Sequence, residues 1–180
     1  MSDSPWQYLK SDQVLFIIDA AHRVEEDLLL DWLERTRVIA GFEGQVHTVV
    51  VPIVEDPENI PSEALSEALG MPAEAMIAPV RVMWRSRLDQ LSNKPRIRDL
   101  LSGNPRRPGV KRAQRLLNSD PSSATCIVGT PASLADLSER FEQRQTIALV
   151  DKSLADYVAG QASLASVSYT HLTLPTTPYV

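Results

Sequence analysis

Only one cysteine, Cys126, occurs in the 180 residues. This excludes an internal disulfide and any zinc site built from several thiolates, and it fits a reducing compartment. No apolar run approaches the ~20 residues a helix needs to cross a bilayer, so any membrane contact has to be peripheral. The first residues lack a basic stretch followed by an apolar core, which argues against a secretory signal. Histidines number three, and no His, Cys and acid cluster has the spacing of a metal site, so neither metal nor cofactor is implied. Internal repeats and low-complexity tracts are also missing. The remaining composition, 43% hydrophobic and 23% charged, is that of a folded domain, and the length allows one domain with a real core.

Charge is distributed very unevenly. Eleven of the 18 Lys and Arg lie between 81 and 116: Arg81, Arg85, Arg87, Lys94, Arg96, Arg98, Arg106, Arg107, Lys111, Arg112 and Arg115. Only Asp89 and Asp99 oppose them, so this segment carries +9 while the remainder carries −14 of the net −5. Such a segment is either a solvated loop or a surface for an anionic partner, and Arg85, Arg87, Arg96, Arg98, Arg106, Arg107, Lys111 and Arg112 are the candidate contacts. An anionic membrane is one such partner, each basic residue near it contributing about 1 kcal/mol. Nucleic acid is disfavoured, because Trp84 is the lone aromatic among these cations and the pI is about 5.2.

Periodicity predicts strands and helices in alternation. VLFIID (14–19) reads as a central strand, and Val24, Leu28, Leu29, Trp32 and Leu33 recur at helical spacing from Arg23 to about Ala40. The acids Glu25, Glu26, Asp27 and Glu34 are expected on that helix's surface, and Gly41 stops it. VHTVVVPIV (46–54) predicts the second strand, where Pro52 marks an edge or a strand end, and Ser62 caps a short helix to about Leu69. MIAPVRVMW (76–84) is the third strand, followed by the basic loop and a helix from about Val110 to Leu117. TCIVG (125–129) is the fourth strand and runs into Thr130–Pro131, read as the cap and first residue of a helix to about Gln143. A strand at TIALV (146–150) and a helix from about Ser153 complete the pattern. The expected fold is therefore α/β, with a largely parallel sheet, flanking helices and a long basic loop between the third and fourth strands. Trp6 and Tyr8 mark residues 1–12 as a flap packed on this domain.

Candidate chemistry is sparse. His22 and Asp27 form an H-x4-D pair after the first strand, a spacing that lets a histidine take a proton from an alcohol while the aspartate orients its ring. The same residues also read as an exposed histidine at a helix start, followed by acids that suit the helix dipole. Gly129-Thr130-Pro131 could offer free backbone N–H groups to an anion, though helix capping explains it better. His47 reads as a solvated strand residue, and Cys126 as a small core hydrophobe rather than a nucleophile.

Three blocks carry a family likeness. EAMIAPVRVMWRSR (74–87), the loop ending NPRRPG (104–109), and IVGTPASLADLSERF (127–141) resemble the N-terminal region of bacterial membrane-bound glycerol-3-phosphate 1-acyltransferases. A looser likeness extends over VLFIIDAAHRVEEDLLLDWL (14–33) and DYVAGQASLA (156–165). The resemblance implies that the parent enzyme moves an acyl group from acyl carrier protein or acyl-CoA to the 1-hydroxyl of glycerol 3-phosphate. That reaction takes place on the cytoplasmic face of the bacterial inner membrane. It also implies that the family's own H-x4-D lies further along the chain, which makes His22 and Asp27 a coincidental match. The family's phenylalanine–arginine and glutamate–glycine–x–arginine blocks are not found here. VSYTHLTLPTTPYV (167–180) resembles the translation of a sequencing-library adapter joined near Ser166. The native region is accordingly expected to be 1–166, with the parent chain continuing beyond it and His171 carrying no meaning.

Overall fold

The computed structural model describes residues 4–52, 62–85, 107–148 and 153–171. The fold is α/β: a five-stranded, mostly parallel mixed sheet between two layers of helices. Its strands are β1 (Gln13–Asp19), β2 (Gln45–Val50), β3 (Met76–Trp84), β4 (Ala124–Val128) and β5 (Ala132–Ser133). Its helices are α1 (Arg23–Ala40), α2 (Ser62–Ala68), α3 (Val110–Ser119), α4 (Leu134–Ala148) and α5 (Leu154–His171). The strand order is β2-β1-β3-β4, with β5 also on β3; β1 runs parallel to β2 and β3, while β4 and β5 run antiparallel to β3.

Alternation along β1 explains both layers. Val14, Phe16 and Ile18 face one side, where Leu29 and Leu33 of α1 and Ala113 of α3 cover them. Leu15 and Ile17 face the other, under Leu65 of α2, Leu137 of α4 and Val158 of α5. The flap packs as expected: a 3-10 turn at Pro5–Tyr8 buries Trp6 against Phe16 and Phe42, and its indole N–H donates to Thr36 Oγ1 at 2.9 Å. Gly41 ends α1 at φ 63°, a left-handed conformation that favours glycine.

Several local expectations are corrected. Thr130–Pro131 does not begin a helix. The β3–β4 register stops at Val80↔Val128 and β5 resumes at Ile77↔Ala132, leaving Gly129, Thr130 and Pro131 opposite Ala78 and Pro79. This three-against-two mismatch is a bulge. The Pro79 carbonyl points to it and accepts from Gly129 N–H at 2.7 Å, so the N–H that proline lacks falls where the ladder is already broken. That bond also means the Gly129 N–H is not available to an anion. Ser133 caps α4 instead, its Oγ accepting from Asp136 N–H.

The strand expected at 146–150 is also not formed over 146–148, which belong to α4. Continuing a formed helix adds one backbone bond per residue and outweighs the strand preference of Thr146 and Ile147. Residues 149–150 lie outside the described residues, as do 53–54 of the expected second strand. Ser153 and Asp156 cap α5 reciprocally, and the helix runs past Ser166 into the adapter-like residues as far as His171. The segment 167–171 contains neither Pro nor Gly, so nothing local stops it.

Candidate functional site

The strand order β2-β1-β3 reverses direction at β1. Its two crossovers, through α1 and α2, lie on opposite faces of the sheet. In open α/β sheets such a switch point leaves a crevice beyond the carboxyl ends of the strands, where ligands bind. Here that edge is formed by the Ala20–His22 turn after β1, by Trp84–Arg85 at the end of β3, and by Pro108–Gly109 at the entry to α3.

The centre of this edge is a closed hydrogen-bond lock. His22 is the N-cap of α1, and its Nε2 lies 3.0 Å from the Pro108 carbonyl. A carbonyl only accepts, so Nε2 carries the proton and Nδ1 accepts from Glu25 N–H at 3.4 Å. Glu25, at the third helical position, sends Oε2 back to accept from Ala21 N–H at 2.9 Å. Its Oε1 accepts from the Trp84 indole N–H at 2.6 Å. Glu25 is 7% and Trp84 4% exposed, so a carboxylate expected on the surface is buried and charge-assisted bonds hold it there. These contacts tie α1, β3 and the end of the basic segment together.

His22-x-x-Glu25 has the spacing of a capping box with histidine in the cap position, except that Glu25 reaches back to the N–H of Ala21, one residue before the cap. That spacing was present in the sequence and was the signal for Glu25. Trp84 offered no comparable signal; only the structure brings it to Glu25.

His22 and Asp27 are not arranged as a proton-relay pair. The ring is engaged at both nitrogens by Glu25 and Pro108. Asp27 points to solvent with its side chain 64% exposed, and its Oδ1 lies 3.4 Å from Arg23 Nε. Among the candidate cations, Arg85, Arg107 and Lys111 are exposed and Arg112 is half-buried, all at the exit from β3 or the entry to α3. Arg87, Arg96, Arg98 and Arg106, with the basic loop itself, lie outside the described residues. His47 is exposed on β2. Among the described residues no group of three or more His, Cys, Asp or Glu could hold a metal ion, and no helix is long and apolar enough to cross a membrane.

Cys126 lies on the α1 side of the sheet, its thiol donating to the Leu28 carbonyl at 3.8 Å. Burial pushes its pKa from 9.0 up to about 11; Arg35 opposes the shift and Asp31 adds to it. The thiol is therefore neutral at physiological pH and no nucleophile. At pH 8 the native chain is expected to react with iodoacetamide about 100-fold more slowly than the urea-unfolded chain, and equal rates would contradict this burial. Because folding favours the neutral thiol, its contribution to stability is complete below pH 9.0 and is lost as pH rises through about 11.

No family model matches this chain, and no solved structure matches it.

Proposed function

We propose that this domain is the N-terminal, non-catalytic α/β unit of a glycerol-3-phosphate 1-O-acyltransferase, and that it supplies a cationic docking surface rather than the reacting groups. In the parent reaction the 1-hydroxyl oxygen attacks the thioester carbonyl of acyl carrier protein or acyl-CoA. An ester C–O bond forms, the C–S bond breaks, and the thiol leaves with the proton. The observation that carries the reading is the contiguity of the three resembling blocks. Residues 74–87 contain β3, Pro108 of the second block meets His22 beside it, and the third block pairs along β3 through β4, the bulge and β5. The engagement of His22 by its cap and by Pro108 supports assigning the chemistry elsewhere in the parent. Reading the coding DNA beyond codon 166 tests this directly. A downstream H-x4-D is expected, and a stop codon within a few residues would contradict it.

A second observation favours a role at an anionic lipid surface on the cytoplasmic face of the inner membrane. Four described helices carry acids in their first turn, as the helix dipole prefers: Glu25 and Glu26 in α1, Glu63 in α2, Asp136 in α4, Asp156 in α5. In α3 that turn holds Lys111 and Arg112 and no acid. An arrangement that costs helix stability is understandable where the cations serve an outside partner. Binding to anionic vesicles is expected to collapse at high salt. The Arg85→Gln, Lys111→Gln double variant removes two exposed candidate cations and is expected to bind roughly 30-fold more weakly, at about 1 kcal/mol per cation, and unchanged binding would contradict the assignment.

A further inference from the structure

The two edges of the sheet are built differently. The β4–β5 edge consists of a five-residue and a two-residue strand broken by the Gly129–Pro131 bulge, which blunts it against further pairing. The β2 edge is an unbroken six-residue strand, and among the described residues nothing pairs with its outer side. Between Gly44 and Val51 the sequence carries no lysine, no other charge and no proline, and the pairing with β1 has no bulge, so these edge-protecting devices are missing from the strand itself.

The register identifies which groups face outward. Gln45 and Val51 direct their N–H groups inward, to the carbonyls of Asp12 and Ile18. Backbone groups alternate along a strand, so Val46, Thr48 and Val50 direct theirs to the open edge. On the face of the sheet their side chains stay partly uncovered; Val50 is 38% exposed.

We propose that β2 pairs antiparallel with β2 of a second copy about a two-fold axis at Thr48, joining two five-stranded sheets into one. A perpendicular two-fold keeps each face of the sheet continuous and therefore opposes residues of like parity. Centring on Thr48 opposes Val46 to Val50 of the other copy and Thr48 to itself, which engages all three outward-facing residues of each strand. Centring on His47 would instead set Val50 against Gly44, leaving a valine without a side-chain partner across the interface. Because the pairing is isologous, a charge on this edge would face the same strand in the other copy; the uncharged β2 meets no such repulsion. The proposal is independent of the acyltransferase reading.

Sedimentation equilibrium of the full chain tests it, with tryptophan fluorescence as a check on folding. A reversible dimer is expected. Thr48→Pro removes an outward N–H and leaves the inward ladder to β1, and Val50→Lys adds an edge charge without touching the backbone. Each is expected to weaken the dimer about 10- to 100-fold. In a Cys126→Ala background, Thr48→Cys is expected to cross-link to itself on oxidation, because a hydrogen-bonded antiparallel pair holds its Cα atoms ~5.5 Å apart, within disulfide reach. His47→Cys is expected not to cross-link. A monomer at about 0.5 mM, a dimer indifferent to both edge variants, or cross-linking at His47 in place of Thr48 would overturn the proposal.

Discussion

Replacing Glu25 by alanine is expected to destabilise the domain by about 3 kcal/mol, the cost of stripping two charge-assisted bonds and leaving buried donors unpaired. The Trp84 indole N–H, 2.6 Å from Oε1, has no water to turn to at 4% exposure. The Ala21 N–H, just before the α1 cap, loses its acceptor as well. For a chain of this size the change corresponds to a melting temperature lower by roughly 6–12 °C. Urea unfolding followed by tryptophan emission checks both size and place, since Trp84 itself reports on the lost contact. Glu25→Gln retains an acceptor and is expected to cost less. A loss below about 1 kcal/mol in the alanine variant would mean that the lock does not hold the edge together.

Phe16→Ala is expected to be larger still, about 4 kcal/mol, because both the transfer term and a residual cavity contribute. Phe16 is 0% exposed in the strand between β2 and β3, and its ring meets Trp6 edge-on at 5.2 Å and 76°. The loss should therefore also loosen the N-terminal flap. Phe16→Leu, which keeps most of the volume, is expected to cost less than half as much. Asp27→Asn is the contrasting case: its partner Arg23 is solvent-exposed and the pair is worth less than about 0.5 kcal/mol. Chemical denaturation of the three variants ranks them, and a Phe16→Ala loss no larger than that of Asp27→Asn would contradict the packing described.

The parts of the fold that were legible in advance are those written in a single local period. The VLFIID run became β1, the 3.6-residue spacing from Arg23 became α1, Gly41 became its left-handed stop, and MIAPVRVMW became β3. Strand direction was less legible, because alternating apolar residues look alike whether a strand runs up or down; β4 proved antiparallel to β3. Thr130–Pro131 carried a sound helix-start signature, yet Pro79 across the sheet turned those residues into a bulge. That correction lies in tertiary pairing, which no window of sequence contains. The candidate site divides the same way. His22 was visible by type and position, and the x-x spacing to Glu25 was legible, but the long-range partners were not: Pro108 lies 86 residues from His22 and Trp84 lies 59 residues from Glu25.

Under the proposed function the reacting groups of acyl transfer lie outside this domain. The decisive experiment is an acyl-transfer assay with glycerol 3-phosphate and a long-chain acyl-CoA, run on residues 1–166 beside the full product of the coding DNA read beyond codon 166. Product is expected from the longer chain alone, with residues 1–166 at background. Product from the fragment, abolished by His22→Ala, would make His22 a catalytic base and contradict the assignment.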